Sequence, residues 1–194
     1  MNKTITNKTK IFIISGPSGV GKDTVIKGIR KLIPELNLVK SYTTRTKRAS
    51  DEVGNRKFIS EKEFLKMIKN NELIEYTNFC GNYYGRNKKD IQKLLDNNKN
   101  IILETDAIGV KNYKEIFPKN TISISIRYEN QNKLEKRIKK NRPETSTKDL
   151  SWRIKTMKKE KKFDKYHDYK VINFEGKPKK AINKVAEIIR GVLE

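Results

Sequence analysis

The sequence is poor in the residues that build most covalent and metal chemistry. It holds one cysteine, Cys80, and one histidine, His167, in 194 residues. A single cysteine excludes a disulfide framework and a zinc knuckle, and it fits a reducing compartment. Long apolar runs are missing too. The run Ile11 to Ile14 follows a polar, basic start and is too short for a signal-peptide core or a membrane span. Acids are scarce: 23 Asp+Glu stand against 45 Lys+Arg, a net charge of +22. Such a surface suits nucleic acid or phosphate-bearing small molecules. No RNA-binding aromatic motif and no helix-turn-helix accompanies the charge, so phosphates are the expected partner and nucleic acid is not. Apolar residues make up only 35%, but they fall in periodic blocks, which argues for a folded domain. A cytoplasmic protein with no membrane association is expected, as a monomer or homodimer.

The blocks alternate between two periods. Ile11 to Ser15 reads as a buried strand, and TVIKGIRKLI after it as a helix with Val25, Ile26, Ile29 and Ile33 inward. Leu38 to Thr44 reads as one strand and 45 to 57 as a charged loop. Ser60 and Glu63 form a capping box opening a helix to about Asn70. Leu73 to Phe79 alternates like a strand, 81 to 85 (GNYYG) reads as a turn, and KKDIQKLLDNN as a short helix. Asn100 to Thr105 is apolar enough for a central strand, with helix GVKNYKEIF and strand Thr121 to Ile126 following. Asn130 to Lys140 and Lys148 to Lys161 read as basic helices, Tyr169 to Asn173 as the last strand, and Lys180 to Leu193 as the last helix. The alternation predicts an α/β domain with a mainly parallel, doubly wound sheet and helices on both faces. Neither internal repeats nor a low-complexity linker divides it.

Between the first strand and helix lies SGPSGVGKDTV. The phosphate-loop pattern G-x-x-x-x-G-K-[ST] needs that strand–loop–helix setting. Gly16 and Gly21 let the backbone curl so that its N–H groups face phosphate oxygens. Lys22 adds a fixed charge, and the helix N-terminus adds its dipole. The hydroxyl expected after the lysine is Asp23, with Thr24 one place later. Asp23 is either a plain helix-N-terminal acid or a ligand for magnesium, a hard ion that prefers oxygen. Pro17, Ser18, Gly19 and Val20 complete the ATP loop.

Three further groups suit a second phosphorylated ligand, though each has a plainer surface reading. Arg45 and Arg48, three apart after a strand with Ser41, can fork around a phosphate. Glu75 and Asp106 flank apolar strands and can accept from purine N–H groups. Residues 131 to 162 are strongly basic. Within that stretch Arg137, Arg142 and Arg153 suit equatorial phosphoryl oxygens better than lysine does.

In this order the motifs resemble the guanylate kinase family from about residue 9 to the end. They are GPSGVGK at 16 to 22, S-x-T-T-R-x-x-R at 41 to 48, F-I-S-x-x-E-F at 58 to 64 and ELIEY at 72 to 76. GNYYG at 81 to 85, LETDAIGV at 103 to 110 and D-Y-x-V-I-N at 168 to 173 follow. The resemblance implies one domain over 1–194. Its P-loop kinase core lies at about 9–40, 97–136 and 156–194, with a GMP-binding subdomain at about 41–96 and a helical lid at about 137–155. It implies Mg2+-dependent transfer of the ATP γ-phosphoryl to GMP, and to dGMP, giving GDP and ADP. By resemblance Ser41, Glu75 and Asp106 read guanine, and Arg45, Arg48 and Tyr84 hold the GMP phosphate. Arg137 and Arg153 approach the transferring group, and Asn173 lies near adenine. Lys22 and Arg45 belong with the catalytic set, and Asp23 is the candidate metal ligand. Phosphoryl transfer needs positioning and charge rather than a base, so one histidine, read as surface or adenine-side packing, is no obstacle.

The chain departs from the family pattern at Asp23, at Arg56 (near where a phosphate-holding tyrosine is expected) and at Arg86, which replaces a small hydroxyl residue that helps read guanine. Two other classes compete. A sister kinase acting on ribose bisphosphate often carries GKD, but it has no purine to read, which Glu75 and Asp106 argue against. A non-catalytic module built on the same domain usually loses the lysine-bearing loop, which is intact here.

Overall fold

The structure, a computed structural model, describes residues 9–47, 56–79, 81–141, 151, 155 and 161–194. β1 (Ile11–Ser15) is buried along its whole length, so its β-branched side chains feed both faces of a sheet. α1 (Lys22–Leu32) follows, and then β2 (Asn37–Leu38), β3 (Ser41–Thr43), β4 (Arg56–Phe58) and α2 (Glu61–Lys69). β5 (Leu73–Phe79), β6 (Asn82–Asn87), α3 (Lys88–Asp96), β7 (Ile101–Glu104), α4 (Ala107–Ile116) and β8 (Thr121–Tyr128) come next. α5 (Gln131–Asn141), a 3-10 helix (Lys161–Tyr166), β9 (Tyr169–Asn173) and α6 (Pro178–Leu193) complete the described chain.

Two sheets form. The first is five-stranded, in the order β2-β7-β1-β8-β9, and every pairing in it is parallel. Phe12 and Ile14 point into a core with Val25 and Ile29 of α1 and Val185 and Ile189 of α6. Ile11 and Ile13 point the other way, onto Ile91 and Leu95 of α3 and Val110 and Tyr113 of α4. The period-2 alternation of one strand thus serves two helical layers, the doubly wound arrangement that the alternation of strands and helices predicts. The second sheet has four strands in the order β4-β3-β6-β5, with a small core of Phe64, Met67 and Leu73 under α2. There β3 pairs antiparallel with β6, and β5 with β6.

Several expectations change. Leu38 to Thr44 is not one strand: Asn37–Leu38 joins the parallel sheet and Ser41–Thr43 the second sheet. A uniform apolar alternation carries no mark of the crossing between sheets. GNYYG is not a turn either. Phe79 pairs directly with Asn82, and Asn82–Asn87 runs on as a strand. Tyr83 stacks on Phe64 in the small core of that sheet, a tertiary gain that overrides the turn signal of the glycines. β1, not β7, is the central strand of the parallel sheet. The loop expected over 45 to 57 ends one strand early, since Arg56–Phe58 pairs parallel with β3. The helix read at Lys148 to Lys161 lies almost wholly outside the described residues.

The element ends obey local rules. Ser60 accepts from Glu63 N while the Glu63 carboxylate takes the Ser60 N–H at 2.8 Å, a complete capping box for α2. Asn87 caps α3 through Lys89 N, and Asp106 caps α4 through Gly109 N at 2.8 Å.

Candidate active site

The phosphate loop runs from the C-terminal end of β1 to α1, the edge of a parallel sheet where helix N-termini converge on ligands. Gly16 (φ 134°) and Gly21 (φ 98°) take backbone conformations closed to most side chains. A Cβ on Gly16 would stand 2.1 Å from the Ile126 carbonyl oxygen of β8, so the loop lies flat on the sheet only because that position is bare. Gly21 begins α1 without any side-chain cap, which leaves first-turn N–H groups for the loop cavity.

Lys22 Nζ donates to the Gly16 and Pro17 carbonyls at 2.8 and 3.2 Å and sits 3.4 Å from Glu104 Oε1. Glu104 ends β7, the strand beside β1. Asp23 faces it from the first turn of α1. Repulsion from Glu104, more than burial, pushes the Asp23 carboxyl up to about 6, since the Asp23 side chain is 77% exposed. Burial pushes Glu104 up, but Lys22, Arg56 and a hydrogen bond with Asp23 outweigh it and leave its carboxyl below its ordinary value. The two carboxyls act on each other beside one lysine. Glu104 was missed at the sequence level. The available signal was its place at the end of an apolar strand, the edge at which parallel sheets bind ligands.

Arg56 links the second sheet to the start of α1. It donates to Ser41 Oγ at 3.2 Å, and its other terminal nitrogen lies 3.9 Å from Asp23 Oδ1. Two of the chain's departures from its family pattern, Asp23 and Arg56, therefore meet in space. Arg45 packs its guanidinium 5.3 Å over the Phe58 ring and donates to the Thr46 carbonyl, and Tyr84 lies in β6 opposite Thr43.

Glu75 is buried in β5. Arg86, its register partner on β6, donates to Oε1 at 3.0 Å, with both side chains under a tenth exposed. Burial pushes the Glu75 carboxyl up; Arg86 and a hydrogen bond from Thr105 oppose this, while Asp106 adds to the push. Asp106 is near enough to Glu75 to act on it, so two of the three expected base readers share one neighbourhood. Asp106 also caps α4 through Oδ1.

On the far side of the loop, Asn173 is 1% exposed and donates from Nδ2 to the Val20 carbonyl at 2.8 Å. This contact holds the loop from beneath. Arg137 stacks over Tyr128 at 5.3 Å and reaches to 3.2 Å from the position a Gly21 Cβ would take. Arg48, Arg142 and Arg153 lie outside the described residues. His167 is half-buried beside Asp164 and Arg127, not at the loop; burial lowers its pKa and neither ring nitrogen has a partner. Among the described residues no cluster of three or more His, Cys, Asp and Glu could hold a metal, and no helix is long and apolar enough to cross a membrane.

A parallel sheet with this loop, a helix behind it and a second sheet facing it define a P-loop kinase acting on a small phosphorylated acceptor. A profile of the guanylate kinase family matches residues 8–192. The guanylate kinase of Malacoplasma penetrans (strain HF-2) is 38% identical over 174 residues, 88% of this chain and 88% of that one. Guanylate kinase 2, chloroplastic/mitochondrial, of Oryza sativa subsp. japonica is 36% identical over 92% of this chain, which spans 63% of that longer relative. The crystal structure of guanylate kinase from Anaplasma phagocytophilum superposes with a TM-score of 0.69 at 24% identity. It covers 94% of this chain and 85% of that one, a likeness of fold. The chain belongs to the guanylate kinase family, the ATP:GMP phosphotransferases.

Proposed function

We propose that the phosphate loop of this chain takes ATP, that the second sheet takes GMP or dGMP, and that Arg56 marks the line between the two ligands. The observation that carries this reading is the Arg56 bridge from Ser41 to Asp23, at 3.2 and 3.9 Å. It sets the acceptor-side strand β4 directly against the donor loop. Arg45, Arg48 and Tyr84 hold the acceptor phosphate, and Glu75 and Asp106 take the N–H groups of the base. Lys22 leaves its loop carbonyls for the β and γ phosphates. Arg137 and Arg153 neutralise the equatorial oxygens of the group in transit. Asn173 keeps the loop in shape from below. The acceptor phosphate is already an anion, so no base is required and positioning with charge neutralisation suffices.

The family implies Mg2+, and the donor set fits it. Asp23 and Glu104 are two oxygen-donor acids at the phosphate loop, one beside Lys22 and one beside Arg56, and such oxygens suit a hard divalent ion. Asp23 and Glu104 would hold the ion, which when bound offsets phosphate charge. Glu104 also keeps Lys22 aimed at the loop.

The test is a coupled assay with pure protein, ATP and magnesium, offering GMP, dGMP, AMP and UMP. Turnover of GMP and dGMP well above AMP and UMP is expected. No GMP turnover, or turnover that ignores the base, overturns the reading.

A further inference from the structure

We propose that Tyr128 is a positioning residue for Arg137: its ring is the platform that holds the arginine guanidinium at the mouth of the phosphate loop before any phosphate arrives. This rests on the reading that Arg137 meets the group in transit. Tyr128 is the last residue of β8, and its register partner is Asn173, the last residue of β9. Register partners in a parallel pair share a face, here at the C-terminal end of the sheet, where such folds bind ligands. Asn173 holds the Val20 carbonyl of the loop, and Tyr128 packs on the core that β1 shares with α1 and α6. The platform is thus part of the fixed sheet.

The arginine comes from α5, which the same core fixes. Leu134 and Ile138, four apart on that helix, are buried in the core, and Ile138 lies 2.6 Å from where a Gly19 Cβ would stand. Arg137 is the next residue round the helix. Its guanidinium lies 5.3 Å from the Tyr128 ring centroid, and one terminal nitrogen lies 3.2 Å from where a Gly21 Cβ would stand. Gly21 is the N-cap of α1, so this cation sits at the positive end of a helix dipole. Among the described residues Arg137 forms no ion pair. A cation so placed is unfavourable until an anion joins it. A carboxylate in place of the ring would hold the guanidinium too, but it would neutralise the charge that phosphoryl oxygens need. An aromatic face fixes the planar, weakly hydrated guanidinium and leaves its charge and edge N–H donors unspent. Such preorganisation lowers the barrier because nothing need reorient as charge develops. The Tyr128 hydroxyl is buried with no partner, so the ring and not the hydroxyl is what the arrangement uses.

Rapid-quench single turnovers with ATP, GMP and magnesium test it, with melting curves for each protein. The proteins are wild type, Arg137→Met, Tyr128→Phe, Tyr128→Leu, Tyr128→Met and Tyr128→Leu/Arg137→Met. Arg137→Met should slow the transfer step by about 10²-fold or more. Tyr128→Leu and Tyr128→Met should slow it by about 3- to 30-fold, the worth of a cation–π contact, with the Kd for ATP and GMP little changed. Tyr128→Phe keeps the platform and drops an unpartnered hydroxyl, so it should keep most of the rate and melt no lower than wild type. In the Arg137→Met background Tyr128→Leu should slow the step no further, because the ring acts through the arginine. Equal slowing by Tyr128→Leu in both backgrounds overturns the inference, since a ring that only packs would behave so. Tyr128→Phe as slow as Tyr128→Leu overturns it too, because the hydroxyl would then carry the effect. A full-speed Arg137→Met overturns the reading of Arg137 beneath it, whereas a slow Arg137→Met beside full-speed Tyr128 variants overturns only the role of Tyr128.

Discussion

Lys22 and Asp23 are sequence neighbours with opposite duties. Lys22 is bound to two loop carbonyls and to Glu104, three oxygen partners in one place. Lys22→Ala should cut kcat by about 10²- to 10³-fold, the usual cost of losing one preorganised donor to developing charge. Because Glu104 loses a partner, stability should fall by about 1 kcal/mol as well. Single-turnover kinetics beside urea unfolding separate the two effects. Asp23 is an exposed oxygen donor at the phosphate loop, so its weight should show in metal demand. Asp23→Ala should raise the Mg2+ concentration for half-maximal rate by about 10- to 100-fold, with a smaller change in kcat at saturating magnesium. An unaltered magnesium dependence would make Asp23 a helix-end acid only. The Arg56 contact to Asp23 is long and partly open to water, so it is worth little to stability and matters for placement.

At the scale of elements, Asp168 shows how a motif residue can serve the frame. It stands one residue before β9 and accepts from Ser123 N and Oγ of β8, each at 2.8 Å, and from Lys114 of α4. Burial pushes its carboxyl up, but Lys114 and the Ser123 hydrogen bonds outweigh it, so its folded pKa lies below the ordinary value. A depressed pKa stabilises the fold above the unfolded value of about 3.9, and that stability drains away as pH falls through the folded pKa. Asp168→Asn should therefore lower stability at pH 7 and flatten the loss of stability below about pH 4. Melting curves across pH 2–7 check this. Equal acid sensitivity in variant and wild type would mean that the ion is not what ties β8 to β9. The capping box at Ser60 and Glu63 needed only sequence-local contacts and was legible in full. The division of Leu38 to Thr44 between two sheets was not, because it depends on which partners arrive from residues 82–104.

At the scale of the whole molecule, two sheets with different strand directions meet at one phosphate loop. The chain carries a net charge of +22, so encounter with anionic substrates should be steered by charge. Raising salt from about 0.05 to 0.3 M should lower kcat/KM more than kcat, because screening acts on encounter over distances of about 10 Å. Binding should also stabilise the fold. ATP at 100 times its Kd adds about 2.7 kcal/mol to unfolding, visible as a higher melting temperature. No shift with ATP, with or without magnesium, would favour a non-catalytic module.

Some of this was determined by the sequence alone. The order of motifs, the phosphate loop in its strand–helix setting, the capping box of α2 and the bounds of β1, β5 and β9 all rest on local spacing and periodicity, which the chain carries wherever it folds. The tertiary structure decided what stands opposite what. Glu104 beside Lys22 and Asp23, Arg56 between Ser41 and Asp23, Asn173 beneath Val20, and Arg86 on Glu75 join residues from 11 to 153 positions apart in the chain. No local rule encodes those meetings. They follow from the register of two sheets and from burial, which makes a carboxylate such as Glu75 costly until a cation is set against it.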